Sequence, residues 1–404
     1  MSRRVSSGKP YPLEGIRVAD FSHVLAGPFC TRILSDLGAE VFKVETPDGD
    51  LARRLGQRRG GMSGYFMQHN CGKGNVSLDL RMERGRELAA ELACACDVVV
   101  ENFRPGVMDG LGLGQQTLRA RNERLIYCSI SGFGHASPQR NERAFAGVVH
   151  AATGIIDRQA RAFGQQPVDS VFAVGDTVTG LQAALAIVAA IHLRERTGTG
   201  QFIDMAMHDA LLALQECANF VLFGGSETDF LCAWVYPCRG RNVVIPMDPR
   251  AHWETMTSLM GMPELATDPR FDTYARREAA LAELEAIVGT WVASQPGADE
   301  VVAACHANGL AAARVQTLSE ALASEQTRAR SMTVECDDRS GGTAAVLNSP
   351  YRFSDASAGV RGRAAFRGED NRDVLASLLG KSSEEIAQLE ADGVVSSRLP
   401  EPRS

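Results

Sequence analysis

The chain has 404 residues, of which 45% are hydrophobic and 23% charged, and carries a formal net charge of −7. This length suggests two or three domains with a sizeable core. The acidic balance argues against broad nucleic-acid binding, although Arg53, Arg54, Arg58 and Arg59 form a local basic cluster. The best apolar run, Leu181 to Ile191, is too short to span a membrane. The stretch Met1 to Pro10 is basic and polar with no apolar run behind it, unlike a secretory signal. Ten cysteines stand at positions 30, 71, 94, 96, 128, 217, 232, 238, 305 and 336. They form no C-x-x-C pair and no Cys/His zinc spacing, so the expectation is reduced thiols in the cytoplasm and no metal.

The first half alternates strand and helix patterns. Ile16 to Phe21 reads as a short buried strand, Phe29 to Leu37 as a helix ended by Gly38, and Glu40 to Glu45 as a second strand. Glu83 to Ala95 is a helix, Asp97 to Glu101 a third strand, Thr117 to Asn122 a short helix and Leu125 to Ile130 a fourth strand. A long helix is expected over Thr177 to Arg196, followed by a strand over Gln201 to Met207. Strands separated by helices and short loops predict an α/β fold with a parallel sheet covered on both faces. The pattern changes after about residue 215. Ser226 to Pro249 holds short strand-like pieces, and Trp253 to about Arg330 is mostly helical, a smaller second domain. Gly341 to Val346 and a helix over Ser383 to Ala391, with an acidic first turn, return to the first.

The sharpest local feature is Gly175-Asp176, set between an apolar piece and the long helix. By itself Asp176 reads as a helix N-cap. A nucleophilic role is compatible with that, because a helix N-terminus favours the ionised carboxylate that attacks. Gly175 would let a substrate approach the backbone. Glu101-Asn102-Phe103-Arg104-Pro105-Gly106 closes the third strand, where open α/β sheets bind ligands. An Arg there can pair with phosphate and an aromatic can stack on a base, or the segment is simply a turn. Ser22 to Pro28 places small residues before a helix, a possible pyrophosphate seat. Gly110 to Gly114 follows a loop and reads as a turn, not a dinucleotide fingerprint. His23, His69, His135 and His150 join no recognisable Ser or Cys motif and read as packed or surface residues.

The order of these motifs resembles the class III coenzyme A transferases of the carnitine/bile-acid (CaiB/BaiF) type. The matching run starts at Pro12-Leu13-Glu14-Gly15-Ile16-Arg17-Val18 and passes Ala26-Gly27-Pro28, Leu37-Gly38-Ala39-Glu40-Val41 and Leu78-Asp79-Leu80. It continues through Asp97 to Gly106, Ser131-Gly132-Phe133-Gly134, Gly175-Asp176 and Arg196-Thr197-Gly198 to Gly393-Val394-Val395. The resemblance implies a large Rossmann-like parallel-sheet domain built from both chain ends (10–215 and 331–404) and a smaller α+β domain (225–330), in an interlocked homodimer. It implies Asp176 as the nucleophile, passing through an acyl anhydride and an aspartyl-CoA thioester. Acyl-CoA and a carboxylic acid would be the substrates, with no permanently bound cofactor and no nucleic-acid or membrane partner. Coenzyme A contacts carry over onto Val24, Leu25 and Ala26, onto Leu78, Asp79, Leu80 and Arg81, onto Asn102, Phe103 and Arg104, and onto Arg143.

This chain departs from the pattern at Leu25, where some members carry Gln, at Ala146 and at Gly110. No oxalate-type glycine-rich loop is evident around Phe223 to Arg241. These differences weaken a formyl-CoA:oxalate assignment. The resemblance offers a small dicarboxylate such as succinate as a common donor acid of the family, and the sequence leaves both acids open. The rivals are an α-methylacyl-CoA racemase on the same fold and a CoA-binding paralogue without catalysis. A racemase needs an acid/base pair, and Phe145 stands where racemases of this fold carry a His. An NAD-dependent dehydrogenase would require the absent G-x-G-x-x-G.

Overall fold

The computed structural model describes residues 8–226, 234–246 and 249–398. Cys232, and part of the strand-like stretch Ser226 to Pro249, lie outside them. Two compact units are present: the described residues up to 226 together with 328–398, and those between 234 and 327.

The first unit is built on a six-stranded, all-parallel sheet. In chain order its elements are β1 (Arg17–Asp20), α1 (Ala26–Asp36), β2 (Glu40–Glu45), α2 (Gly64–Asn70), β3 (Gly74–Ser77), α3 (Glu83–Cys94), β4 (Val98–Glu101), α4 (Gln115–Arg121), β5 (Ile126–Ser131), α5 (Ala146–Ala152), α6 (Ile155–Phe163), α7 (Val174–Thr197), β6 (Phe202–Ala206) and α8 (Met207–Leu212). The spatial order of the strands is β3-β2-β1-β4-β5-β6. The winding therefore reverses between β1 and β4, the place where ligands bind at the carboxyl ends of the strands.

Alternation along the strands divides the core into two layers. Val18, Val41, Val98, Val100 and Cys128 face α1 and α7, where they pack on Cys30, Leu34, Ala183 and Ile187. Ala19, Phe42, Val44, Val99 and Tyr127 face α3, with Leu88, Leu92 and, from the chain's end, Leu375, Ile386 and Leu389. The final helix, Ser383–Ala391, starts on a capping box formed by Ser382 and Glu385. The end of the chain is tied to the sheet by a bridge between Leu78 and Val395.

The second unit has a small antiparallel sheet of Val235–Cys238, Arg241–Val244 and Ala313–Arg314. It packs on its own helices through Trp253, Phe271, Trp291 and Val292.

Two expectations change. Helices α2, α5 and α6 and strand β3 were not expected, although Ile155, Ile156, Ala160 and Phe163 give α6 an apolar side. The apolar window Leu181 to Ile191 understated α7, which runs 24 residues and is, by length and composition, apolar enough to cross a membrane. Small and apolar residues at its start, Val174, Gly175, Val178 and Gly180, extend the apolar character ahead of Leu181. One side of α7 is buried on α1, while Leu181 and Leu185 stay exposed.

Candidate active site

The loop after β1 is held from several sides. The Asn102 side chain, just past β4, accepts the His23 N–H at 2.8 Å and donates to the His23 carbonyl at 2.8 Å. The His23 ring meets Phe103 edge-on, 4.5 Å between centroids. Val24 is left-handed at φ +67, a conformation that a β-branched residue adopts only under constraint. Its N–H donates to Asp50 at 3.1 Å. Asp50 in turn pairs with Lys43 at 2.9 Å, both side chains almost fully buried.

Behind the loop, Lys73 pairs with Asp20 at 3.0 Å, and Asp20 also accepts from Thr31 at 2.6 Å and from the Ser22 N–H at 3.0 Å. Burial would raise the Asp20 carboxyl, but Lys73, Lys43 and these hydroxyls hold it down at about 2. Burial brings the Lys73 ammonium down to about 8 against the pull of Asp20. A charged network has thus been buried to fix five residues of loop.

Asp176 faces this loop. The N-cap of α7 is Ala173, so Val174, Gly175 and Asp176 form the first turn and Asp176 is not the cap that its sequence position suggested. Its carboxylate lies near the backbone N–H of Ala26, the first residue of α1, which acts to lower its pKa. It therefore lies at the N-termini of two helices, where a negative charge is favoured. Burial nevertheless outweighs this and raises its pKa above the usual carboxylate value, with the Ala26 N–H opposing. The expected lowering is thus reversed. The small-residue run that read as a pyrophosphate seat lies inside α1 at Ala26, Gly27 and Pro28, and its first N–H lies near Asp176.

Gly175 does not open the backbone to a substrate. A Cβ there would make ordinary contacts with Met207, Ala146 and the His150 Nε2 at 3.4–3.5 Å, so protein fills that side. The close approach is at Gly180, where a Cβ would come within 2.5 Å of the Ala26 carbonyl oxygen.

Val24, Leu25, Ala26, Asn102, Phe103 and Asp176 are thus brought together. Arg104 is exposed beside them and lines a cavity of about 260 Å³ with Glu101, Tyr127, His135 and Phe202. Burial pushes the Glu101 carboxyl up to about 7. Arg81 and Asp79 pair with each other at 2.7 Å on the surface. The Leu78 and Leu80 side chains are committed to the core layer under α3, so only their backbone is left to meet a ligand. Arg143 is exposed on the loop before α5. A larger cavity of about 670 Å³ lies at the other end of the strands, beside Arg17, Glu40 and Arg361.

Several participants had no signal in the sequence. His150, read as a packing residue, donates or accepts at both ring nitrogens: Nδ1 meets Asp169 at 2.7 Å and Nε2 meets the Gly175 N–H at 3.0 Å. Tyr65 has its hydroxyl raised by burial and by the Asp176 charge. Lys43, Lys73 and Asp50 come from separate loops and strands, a convergence that linear spacing does not reveal. Ser129 and His135 do meet, at 2.8 Å, but Asp204 holds the backbone N–H of His135 and not its ring, so no hydrolytic triad results. Among the described residues no group of three or more His, Cys, Asp or Glu is placed to hold a metal ion.

Comparison with known proteins identifies the family. Residues 13–371 match CoA-transferase family III. The chain is 33% identical over 403 residues to a succinyl-CoA–D-citramalate CoA-transferase of Chloroflexus aurantiacus, covering 96% of this chain and 100% of that protein. It is 32% identical to a formyl-CoA:oxalate CoA-transferase of Streptomyces avermitilis, covering 95% and 99%. The fold superposes on the crystal structure of Rv3272 from Mycobacterium tuberculosis with a TM-score of 0.81 at 33% identity, over 90% of this chain and 99% of that one. With its parallel sheet, its reversal point and the match along nearly its whole length, the chain belongs to the family III CoA-transferases.

Proposed function

We propose that this enzyme moves coenzyme A between carboxylic acids with Asp176 as the covalent nucleophile. One observation carries the reading: a desolvated carboxylate, beside the Ala26 N–H, sits at the point where the winding of the sheet reverses. A carboxylate stripped of water is a stronger nucleophile than a solvated one, provided that it is ionised.

The Asp176 carboxylate attacks the thioester carbonyl of the donor acyl-CoA, the C–S bond breaks, and CoA thiolate leaves an aspartyl–acyl anhydride. The thiolate then attacks the aspartyl carbonyl carbon. The C–O bond to the donor acid breaks, leaving an aspartyl-CoA thioester. The acceptor carboxylate attacks that thioester and expels thiolate, which finally attacks the acceptor acyl carbon and frees Asp176. The donor acid leaves as the product and each thiolate expelled is taken up again, so the activation energy of the thioester is conserved without redox chemistry.

Asn102, Phe103 and Arg104, with the Val24 to Ala26 backbone, are the residues best placed to receive the CoA moiety, Arg104 through phosphate. Arg81 and Arg143 are exposed cations that could serve its phosphates. A small dicarboxylate such as succinate is the donor acid we favour, as with the Chloroflexus relative named for succinyl-CoA. Exposed Leu181, Leu185, Val171 and Phe172 support a homodimer that covers them. Buried thiols such as Cys30 and Cys128 suit a reducing cytoplasm.

Racemisation is disfavoured by geometry. The histidine against the start of α7, His150, has both ring nitrogens engaged and cannot act as the second acid/base. The test is mass spectrometry after incubation with succinyl-, acetyl- or formyl-CoA and hydroxylamine. A hydroxamate on Asp176 is expected. Normal exchange by Asp176→Ala would rule out the covalent route.

A further inference from the structure

A long helix needs acceptors for its first N–H groups, and α7 has none from its own cap. Ala173 occupies the N-cap and has no side chain able to accept. An acidic residue in the first turn commonly folds back to meet such donors. Asp176 stands in that turn, yet its carboxylate is turned to the Ala26 N–H of another helix.

The acceptor that α7 lacks is supplied by His150 of α5. Its Nε2 takes the Gly175 N–H at 3.0 Å, and its side chain is fully buried. An amide N–H can bond only to a ring nitrogen with a lone pair, so Nε2 is unprotonated and the proton of the neutral ring sits on Nδ1. That nitrogen meets Asp169 at 2.7 Å. Asp169 accepts from Nδ1–H and is itself fixed by the Ser170 N–H at 2.8 Å. The tautomer is therefore specified from both sides. Space has been left for this pair: a Cβ on Gly147 would come within 2.5 Å of the second Asp169 carboxylate oxygen.

We propose that the Asp169–His150 pair is a positioning device for the nucleophile. The imidazole serves as a cap donated by another helix. By satisfying Gly175 it frees the Asp176 carboxylate from capping its own helix, so that it stays presented to the Val24 to Ala26 loop. His150 acts through Asp176 and does not touch the reacting atoms. The inference rests on Asp176 being the nucleophile.

The test compares full-length wild type with His150→Leu, His150→Gln and Asp169→Ala. Gln places an amide oxygen near the position of Nε2 and restores an acceptor, whereas Leu cannot. The readouts are the rate of hydroxamate formation at Asp176 and the kcat and KM for whichever of succinyl-, acetyl- or formyl-CoA the wild type uses. His150→Leu and Asp169→Ala should lose about tenfold or more in kcat and in trapping rate, with KM changed less than about threefold, because misplacement of a reacting group acts on the chemical step. His150→Gln should recover to within about threefold of wild type by restoring the hydrogen bond. Wild-type rates in His150→Leu, or a folded His150→Gln as slow as His150→Leu, would overturn the proposal while leaving the nucleophile in place. Should His150→Leu fail to fold, Asp169→Ala, at a half-exposed position, decides: loss in kcat supports the device and unchanged kcat overturns it. If the wild type yields no hydroxamate with any of the three thioesters, the nucleophile and this device fall together.

Discussion

Gly180 lies against the carbonyl of Ala26 so closely that an added Cβ would sit 2.5 Å from the oxygen and 3.3 Å from the Cys30 nitrogen. Ala26 begins α1, and its N–H is the one that lies near the Asp176 carboxylate. The contact therefore sets the distance between the helix that carries the nucleophile and the helix that holds it.

Gly180→Ala should push these helices apart. Both obstacles are backbone, so neither can rotate away. An overpacking cost of about 1–3 kcal/mol is expected, together with a fall in kcat as the Ala26 N–H moves from Asp176. Gly175→Ala should behave differently although it borders the nucleophile. Its Cβ meets only ordinary contacts, and alanine is the better helix former by about 0.5–1 kcal/mol. Urea unfolding and steady-state kinetics on the two variants would show the contrast, and equal tolerance of both would refute the close-contact account.

The raised pKa of Asp176 sets the acid limit of activity. Only the carboxylate attacks, so activity is full above that pKa and is lost as pH falls through it. Because burial raises the value above the usual 3.8, the limb should lie at higher pH than for a solvated aspartate. The measurement is kcat/KM against pH, checked for reversible inactivation by returning samples to neutral pH. An acid limb below pH 3.8 would contradict the burial that the site displays.

The sheet was legible in the sequence because its strands are short β-branched runs, Val98-Val99-Val100 most of all, and because Gly38 marks the end of α1. The motif Gly175-Asp176 was legible as a helix start, but off by a turn fraction: the chain is already helical at Val174, since the missing cap is provided by His150 from outside. No local rule reports an acceptor donated by another helix. The same limit hid Lys43 and Asp50, which reach the loop at Ser22 and Val24 only after folding. Leu78 and Leu80 were read as ligand contacts from a matching motif, whereas alternation puts their side chains in the core.

Asp20 should be a focus of acid sensitivity and of stability. Its carboxyl is held at about 2 in the folded chain, below the value of about 3.9 for an unfolded aspartate. A depressed carboxylate adds stability that is present above about pH 4 and lost as pH falls towards 2. Asp20→Asn leaves the Lys73 ammonium buried without its counter-charge, which should cost about 3–5 kcal/mol. It should also flatten the stability profile between pH 4 and pH 2. Urea titrations of both proteins across that range would test this, and identical slopes would exclude Asp20 as the titrating group.

Helix α7 offers two readings of its exposed apolar side. By length and composition it could cross a membrane. Yet its other side is packed in the core on Cys30 and Leu34 of α1, and near its end Arg194 pairs with Asp97 at 3.0 Å with the guanidinium buried. A lipid-spanning helix would have to break that packing and strand the arginine in hydrocarbon, a cost of several kcal/mol. A second protein surface can instead cover Leu181 and Leu185 while the core remains intact. The chain should therefore sediment as a homodimer without detergent, and Leu185→Glu with Leu181→Glu should shift it towards monomer while the far-ultraviolet circular dichroism is retained. A wild-type monomer at micromolar concentration, or a requirement for detergent, would remove the dimer from the account of this face.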